Sequence, residues 1–202
     1  MGRIIGIFGG TFDPPHLGHR ILAYEAQYEL ELDRVLWVVT GDPPHKPDRM
    51  IANSEHRVRM VSLMIEAEPS FELSRVELDR QPPYYAVDTL QLLRDKWPDA
   101  HLVYLMGGDS LMELPSVWHQ PLEFVKQVDS LGVMARPSMA IDMDRLKSEL
   151  PGVETKVHFL SSPLIEISSS LIRTRIGEGK PYKHFLTSSV AEYVEREGLY
   201  RY

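Results

Sequence analysis

A short apolar run that ends in a glycine pair and a doubled proline constrains this chain more than any other stretch. Ile4-Ile5-Gly6-Ile7-Phe8 has the length and the β-branched content of a buried strand. It runs into Gly9-Gly10-Thr11-Phe12-Asp13-Pro14-Pro15-His16-Leu17-Gly18-His19. From about Leu17 the pattern turns helical, with Leu17, Ile21, Tyr24 and Tyr28 expected on one buried face. Strand, glycine-rich turn and helix in that order bring free backbone N–H groups and a helix N-terminus to one point, which suits an anion. The glycines allow close backbone approach and the prolines stiffen it. His16 and His19 are three residues apart and share a helical face. One reading is a phosphate site with two imidazole donors. The other is an ordinary turn with two incidental surface histidines. The absence of a G-x-G-x-x-G pattern and of a Gly-Lys-Ser/Thr sequence sets the turn apart from dinucleotide and P-loop motifs.

The rest of the chain repeats the alternation. Leu36-Trp37-Val38-Val39 is a second strand, so residues 4–39 read as a βαβ unit with parallel strands. The proline-rich loop 40–53 follows, carrying His45, Lys46 and Arg49 just past a strand's C-terminal end. Ser54 is expected to cap the next helix, with Val58, Val61 and Ile65 buried and Arg57 and Arg59 in solvent. Phe71–Ser74 is a weak strand, and Arg80–Tyr85 enters a helix with Val87, Leu90, Leu93 and Trp97 inward. His101–Met106 is a buried strand that meets Gly107-Gly108-Asp109-Ser110; Asp109 there either accepts from a ribose hydroxyl or simply caps a helix. Trp118 offers a flat face for a ring or merely covers the core. Ser130–Ala135 is a strand that ends at Arg136, which is well placed for an anion; a short helix near 142–150 and the strand Val157–Leu160 follow. Ser189 and Glu192 are expected to box the N-terminus of the last helix. The expected fold is α/β, a Rossmann-like doubly wound parallel sheet with helices on both faces. A single domain over residues 1–202 is expected, including a helical portion from about 168.

A second polar cluster lies near the other end. In Ile167-Ser168-Ser169-Ser170-Leu171-Ile172-Arg173, serines open a helix and an arginine lies one turn in. Hydroxyls, orphan N–H groups and a guanidinium together can grip a polyphosphate, although a serine cap with a surface arginine is a common arrangement.

Composition removes several classes of function. The chain has 202 residues, no cysteine and a formal net charge of −7. That excludes thiol chemistry and disulfides and argues against broad nucleic-acid binding, while leaving room for a small anionic substrate in a local positive pocket. No apolar run reaches membrane-spanning length and no signal-peptide pattern opens the sequence, so a cytoplasmic protein without a membrane partner is expected. A homo-oligomer is compatible with the sequence but not readable from it.

Residues 9–19 and 167–173, taken together, resemble the nucleotidyltransferases with the H-x-G-H signature, and especially the bacterial nicotinate-mononucleotide adenylyltransferases. Pro43-Pro44-His45-Lys46, Tyr85–Leu90 and Trp118 are similar to segments of the same family; Ala86 and Ser170 stand where it commonly has threonine. The resemblance implies in-line transfer of an adenylyl group from ATP, with Mg²⁺ carried in on ATP, to nicotinate mononucleotide. It implies catalytic roles for His16 and His19. ATP contacts would come from Gly9, Gly10, Phe12, Gly18, Gly107, Asp109, Ser168, Ser169, Ser170 and Arg173. Contacts to the second substrate would come from Thr11, His45, Lys46, Tyr85, Ala86, Trp118 and Arg136, with His45 open between contact and solvent. Nicotinamide-mononucleotide and phosphopantetheine adenylyltransferases are the neighbouring alternatives, although the latter usually have threonine at the place of His16. A non-catalytic nucleotide sensor and a metal-binding protein using His16, His19 and His45 are more distant ones.

Overall fold

The computed structural model describes residues 2–41, 51–134, 140–161 and 166–201. His45, Lys46 and Arg136 lie outside them. The described elements run β1 (Ile4–Gly10), α1 (Leu17–Glu29), β2 (Arg34–Val39), α2 (Ser54–Ile65), β3 (Phe71–Ser74), α3 (Ala86–Lys96) and β4 (His101–Gly107). They continue with α4 (Gly108–Val117), α5 (Pro121–Gln127), β5 (Ser130–Met134), α6 (Met143–Glu149), β6 (Val157–Phe159), α7 (Ser169–Gly177) and α8 (Ser188–Arg196).

The strands form one six-stranded sheet in the order β3-β2-β1-β4-β5-β6, and every pairing is parallel. This is the doubly wound order, which reverses between β1 and β4; ligands bind beyond the strands' C-terminal ends at that switch point. Phe8 stands opposite Leu105, and the same offset brings Gly10 level with Gly107. The glycine turn after β1 and the Gly107–Asp109 segment after β4 are therefore neighbours, although about a hundred residues separate them in sequence.

Period-2 alternation divides the sheet's side chains between two cores. Val35, Trp37, Val39, Val103 and Leu105 face one core, which α1, α2, α7 and α8 complete with Ala23, Met60, Val61, Ile172 and Val190. Ile5, Ile7, Leu36, Val38, Leu102 and Tyr104 face the other, completed by Leu90, Leu93, Leu111, Phe124 and Leu146. The expected fold class is borne out, with helices on both faces.

Several local expectations are corrected. The buried stripe of α1 is Leu22, Ala23 and Ala26, whereas Tyr24 is 37% and Tyr28 83% exposed. Small alanines let the helix sit close to the sheet, and the tyrosines turn outward. Asn53, not Ser54, is the N-cap of α2, its side chain accepting from the Glu55 N–H. Thr187, not Ser189, caps α8. Arg57 is not in solvent: it is 0% exposed. Its spacing to Met60, Val61 and Met64 puts it on the helix's inner stripe. The helix α5 had not been predicted; it is only 7 residues long, started by Pro121 at its first position.

Candidate active site

The turn after β1 is shaped by steric necessity. Phe12 has φ 50°, a left-handed conformation that costs a non-glycine residue about 1–2 kcal/mol. Its ring turns down into the core against Phe8 and Trp37, with centroids 5.4 and 5.2 Å away. A Cβ on Gly10 would lie 2.9 Å from that ring, so the residue there must be glycine. Phe12 also meets the His19 ring edge-on at 5.1 Å and supports it from below. Its side chain is thus a prop for the site, and only its backbone is left to meet a nucleotide.

His16 and His19 form a reciprocal cap on α1. The His16 N–H donates to His19 Nδ1 at 3.1 Å, and the His19 N–H donates to His16 Nδ1 at 3.4 Å. The two rings stack with centroids 3.7 Å apart. Burial lowers the His16 pKa to about 4, and burial followed by the neighbouring His16 lowers that of His19 well below its ordinary value. Both rings are therefore neutral at pH 7. Since each Nδ1 accepts a hydrogen bond, each ring carries its proton on Nε2. The pair presents two fixed N–H donors, and Gly18 lies between them in the first turn of α1.

The second polar cluster docks onto this turn. Ser169 Oγ donates to the Pro14 carbonyl at 2.9 Å, and Arg173 Nη1 donates to the Asp13 carbonyl at 2.6 Å. Arg173 Nη2 donates to Ser170 Oγ at 3.3 Å, and Ser168 Oγ caps α7 by accepting from the Leu171 N–H at 3.1 Å. Some of the polar capacity read as a phosphate grip is thus spent on joining the motifs. What faces outward is the first turn of α7, whose N–H groups lack intrahelical partners, with the exposed Ser168 and Ser170. Asp13 is the hub of this junction and had not been singled out. It is 2% exposed; its Oδ1 accepts from Tyr200 at 2.7 Å and from the Ala52 N–H at 3.1 Å, while Oδ2 lies 3.5 Å from Arg173 Nη1.

Across the switch point, Gly107 is the N-cap residue of α4 and makes no side-chain cap, so Asp109 does not cap the helix. It holds an exposed carboxylate in the first turn of α4, at the C-terminal edge of the sheet. Gly9 abuts Tyr104, whose hydroxyl is 3.0 Å from where a Cβ would stand.

Beside the turn lies a cleft of about 570 Å³. Tyr85, Ala86 and Trp118 all line it, with Gly41, Glu77, Tyr104 and His119 among their neighbours. Trp118 is held edge-on against Tyr104 and Phe124 at 5.7 and 5.0 Å, and the Tyr85 and His119 rings stack at 3.9 Å. Ala86 is the first residue of α3, so its backbone N–H is one of that helix's orphans. Burial pushes the Tyr104 phenol well above its ordinary pKa, which keeps it a neutral hydroxyl at the cleft's floor. Glu77, Tyr104 and Gly41 had not been read as site residues. Glu77 carried one available signal, an acid set between Val76 and Leu78.

This arrangement is that of a nucleotidyltransferase: a glycine-rich turn with paired imidazoles at the switch point of a doubly wound sheet. The cytidylyltransferase-like family model matches residues 7–175. A nicotinate-nucleotide adenylyltransferase of Bacillus subtilis (strain 168) is 37% identical over 196 residues, 97% of each chain. A relative from Thermomicrobium roseum, bearing that name in provisional form, is 43% identical over 201 residues, 100% of this chain and 92% of its own length. The chain belongs to the nicotinate-nucleotide adenylyltransferase family. The fold also matches a solved Plasmodium falciparum nicotinic acid mononucleotide adenylyltransferase complexed with NaAD. The TM-score is 0.80 at 18% identity, covering 98% of this chain and 97% of that one.

Proposed function

We propose that the protein joins ATP and nicotinate mononucleotide to give nicotinate adenine dinucleotide and pyrophosphate, a step of NAD biosynthesis. The observation that carries this reading is the docking of Ser169 and Arg173 on the Pro14 and Asp13 carbonyls beside the stacked histidines. It brings the two polar segments together at one point, beside the cleft that Tyr85, Ala86 and Trp118 line, which supports the reading of a phosphate grip next to a ring site.

In this reading an oxygen of the mononucleotide's 5′-phosphate attacks the α-phosphorus of ATP. A new P–O bond forms, the bond from the α-phosphorus to the α,β-bridging oxygen breaks, and pyrophosphate leaves with its electron pair. The attacking phosphate is already anionic near neutral pH, so no general base is needed. Catalysis then comes from positioning and from electrostatic stabilisation of the growing charge. His19 Nε2–H donates to the α-phosphate oxygens and His16 Nε2–H to the triphosphate. The first turn of α7 and Arg173 meet the β- and γ-phosphates, and Asp109 accepts from the ribose. Mg²⁺ enters as part of the ATP complex, as substrate. Trp118 stacks on the pyridine ring, and the N-terminus of α3 at Ala86 meets its carboxylate.

Initial rates of pyrophosphate release, with ATP and either nicotinate or nicotinamide mononucleotide, test the assignment. Nicotinate mononucleotide is expected to be the better substrate, with the dinucleotide product identified by mass. No pyrophosphate with either would reject the activity, and a preference for the amide would reject the assigned substrate.

A further inference from the structure

One peptide unit between the turn and the cleft is gripped from both sides by buried ionisable groups. The Thr40 carbonyl accepts from Arg57 Nη1 at 2.7 Å, and the Gly41 N–H, on the same peptide plane, donates to Glu77 Oε2 at 3.4 Å. The peptide dipole points its negative end at the guanidinium, a charge-assisted contact, and its positive end at the Glu77 carboxyl group, whose pKa burial raises and whose hydrogen bonds from Thr89 and the Gly41 N–H act against that rise. Arg57 is 0%, Glu77 4% and Thr89 1% exposed. Each charged residue also reaches onward. Arg57 Nη1 donates to the Thr11 carbonyl at 3.0 Å, and its Nε donates to the Ala52 carbonyl at 3.1 Å. Glu77 Oε1 accepts from Thr89 Oγ1 at 2.9 Å, one turn into α3. The Thr40 N–H completes the junction by donating to the Gly10 carbonyl at 3.0 Å.

The chain of contacts therefore runs from the phosphate turn, through Arg57, the 40–41 peptide and Glu77, to the first turn of α3, which opens the cleft. Burying a guanidinium and a carboxylate in this way is costly, and a well-packed apolar alternative is commonly no less stable. What the ionic arrangement adds is a fixed geometry. We propose that Arg57 and Glu77 are positioning residues that set the placement of the mononucleotide cleft relative to the phosphate turn. Arg57 is not part of the cleft lining, whereas Glu77 is, so Thr89→Val, which leaves Glu77 in place, separates positioning from direct contact. Glu77 holds the cleft end through Thr89, and Arg57 holds the turn end through Thr11.

This inference rests on the adenylyltransferase reading, and wild-type turnover of ATP and nicotinate mononucleotide is measured first, so that failure of that reading is seen by itself. Glu77→Gln keeps the size of the side chain and puts an NH₂ group where one acceptor oxygen was. It is expected to raise KM for the mononucleotide about tenfold, while KM for ATP and kcat stay within about twofold. Thr89→Val removes the hydroxyl that Glu77 holds, which also reaches the Tyr85 carbonyl at 3.2 Å and accepts from Arg80 Nη2 at 3.4 Å, and is expected to act in the same direction. The double variant should lose less than the sum of the two single losses, because both singles weaken the shared Glu77–Thr89 contact. Arg57→Lys keeps the charge but loses the fork, and is expected to lower kcat about tenfold through the displaced turn. A purely structural role would lower the thermal midpoint and shift both KM values alike. Equal shifts, or none, in a wild-type-active background overturn the proposal. If Glu77→Gln does not fold, the same comparison is made on Thr89→Val.

Discussion

The phosphate turn and the ring cleft are neighbours at one end of the sheet, yet they are built in opposite ways. The turn is local. Residues 9–19 are contiguous, their backbone path is imposed by Gly10 and Phe12, and the two histidines cap the helix that follows them. The cleft is assembled from afar, with Gly41, Tyr85, Tyr104 and Trp118 drawn from four separate segments. The turn's geometry is fixed by backbone sterics and reciprocal hydrogen bonds, so it tolerates little change. The cleft's aromatic walls are set by packing, which relaxes when it is altered, and only the placement of the cleft relative to the turn rests on the Arg57 and Glu77 contacts. Damage to the turn should therefore appear in the chemical step, and damage to the cleft in the affinity for one substrate.

The largest expected effect tests the first half of that contrast. His19→Ala removes the Nε2–H donor and should cut kcat by roughly 10²–10⁴-fold. The variant also loses the Nδ1 acceptor of the His16 N–H, so the thermal midpoint should fall modestly while the protein stays folded at assay temperature, and His19→Asn, which can keep that acceptor, should lose kcat with a smaller fall. Near-wild-type pyrophosphate release would remove His19 from the chemistry and with it the distinction between the two regions.

Proton linkage gives the next largest effect, and in the turn it weakens the fold as pH falls, whereas burial raises the pKa of Glu77 in the cleft and so acts in the opposite direction, as pH rises. The folded-state pKa of His16 is about 4, against an ordinary value of 6.5. Above pH 6.5 the ring is neutral in both the folded and unfolded chain and contributes nothing. As pH falls from 6.5 towards 4 the unfolded chain takes up the proton first, so stability declines, levelling off below 4. The difference amounts to about 3 kcal/mol, to which His19 adds in the same direction. His16→Asn keeps a good N-cap acceptor and removes the titration. Urea unfolding at pH 7.5 and at pH 4.5 should show a smaller acid loss in the variant. An identical loss in both proteins would place the acid sensitivity elsewhere.

The same local-versus-distant contrast decides what could be read from the sequence. The six strands were legible because each is a short apolar run bounded by turn residues, and the parallel, doubly wound class followed from their alternation with helices; the strand order itself comes from the structure. The turn was legible because its whole structure lies in eleven consecutive residues. The second motif was legible as a polar cluster, but its docking on Asp13 and Pro14 was not, because nothing local in residues 167–173 specifies a partner more than 150 residues away. Arg57 was misread for a related reason. A charged residue on a helix is ordinarily solvated, and what buries this one is a set of carbonyl acceptors on Thr11, Thr40 and Ala52 that only the fold assembles. Cap positions slipped by one or two residues where adjacent residues cap equally well, as at Asn53-Ser54 and Thr187-Ser188-Ser189.

Arg173 tests where the two ways of building meet. It is the one guanidinium in its motif, it donates to the turn at Asp13, and its side chain stays partly exposed. Arg173→Lys keeps the charge but loses the planar fork, so it should raise KM for ATP by roughly tenfold or more. The mononucleotide KM should move less. A larger effect on the mononucleotide would show that the motif serves the cleft rather than the triphosphate.

The smallest expected effect probes the cleft. Trp118 is fixed edge-on between Tyr104 and Phe124, which leaves a face of the indole available to a ring. Stacking of this kind contributes about 0.5–1.5 kcal/mol beyond the area buried. Trp118→Ala should therefore raise KM for nicotinate mononucleotide about tenfold with KM for ATP almost unchanged, and Trp118→Phe should recover much of the loss. Packing relaxation limits the damage, because Phe124 and Tyr104 can close part of the space that the indole leaves. If both substrates were weakened equally, Trp118 would be a wall of the common site rather than a stacking surface, and the cleft would have to be regarded as continuous with the phosphate turn.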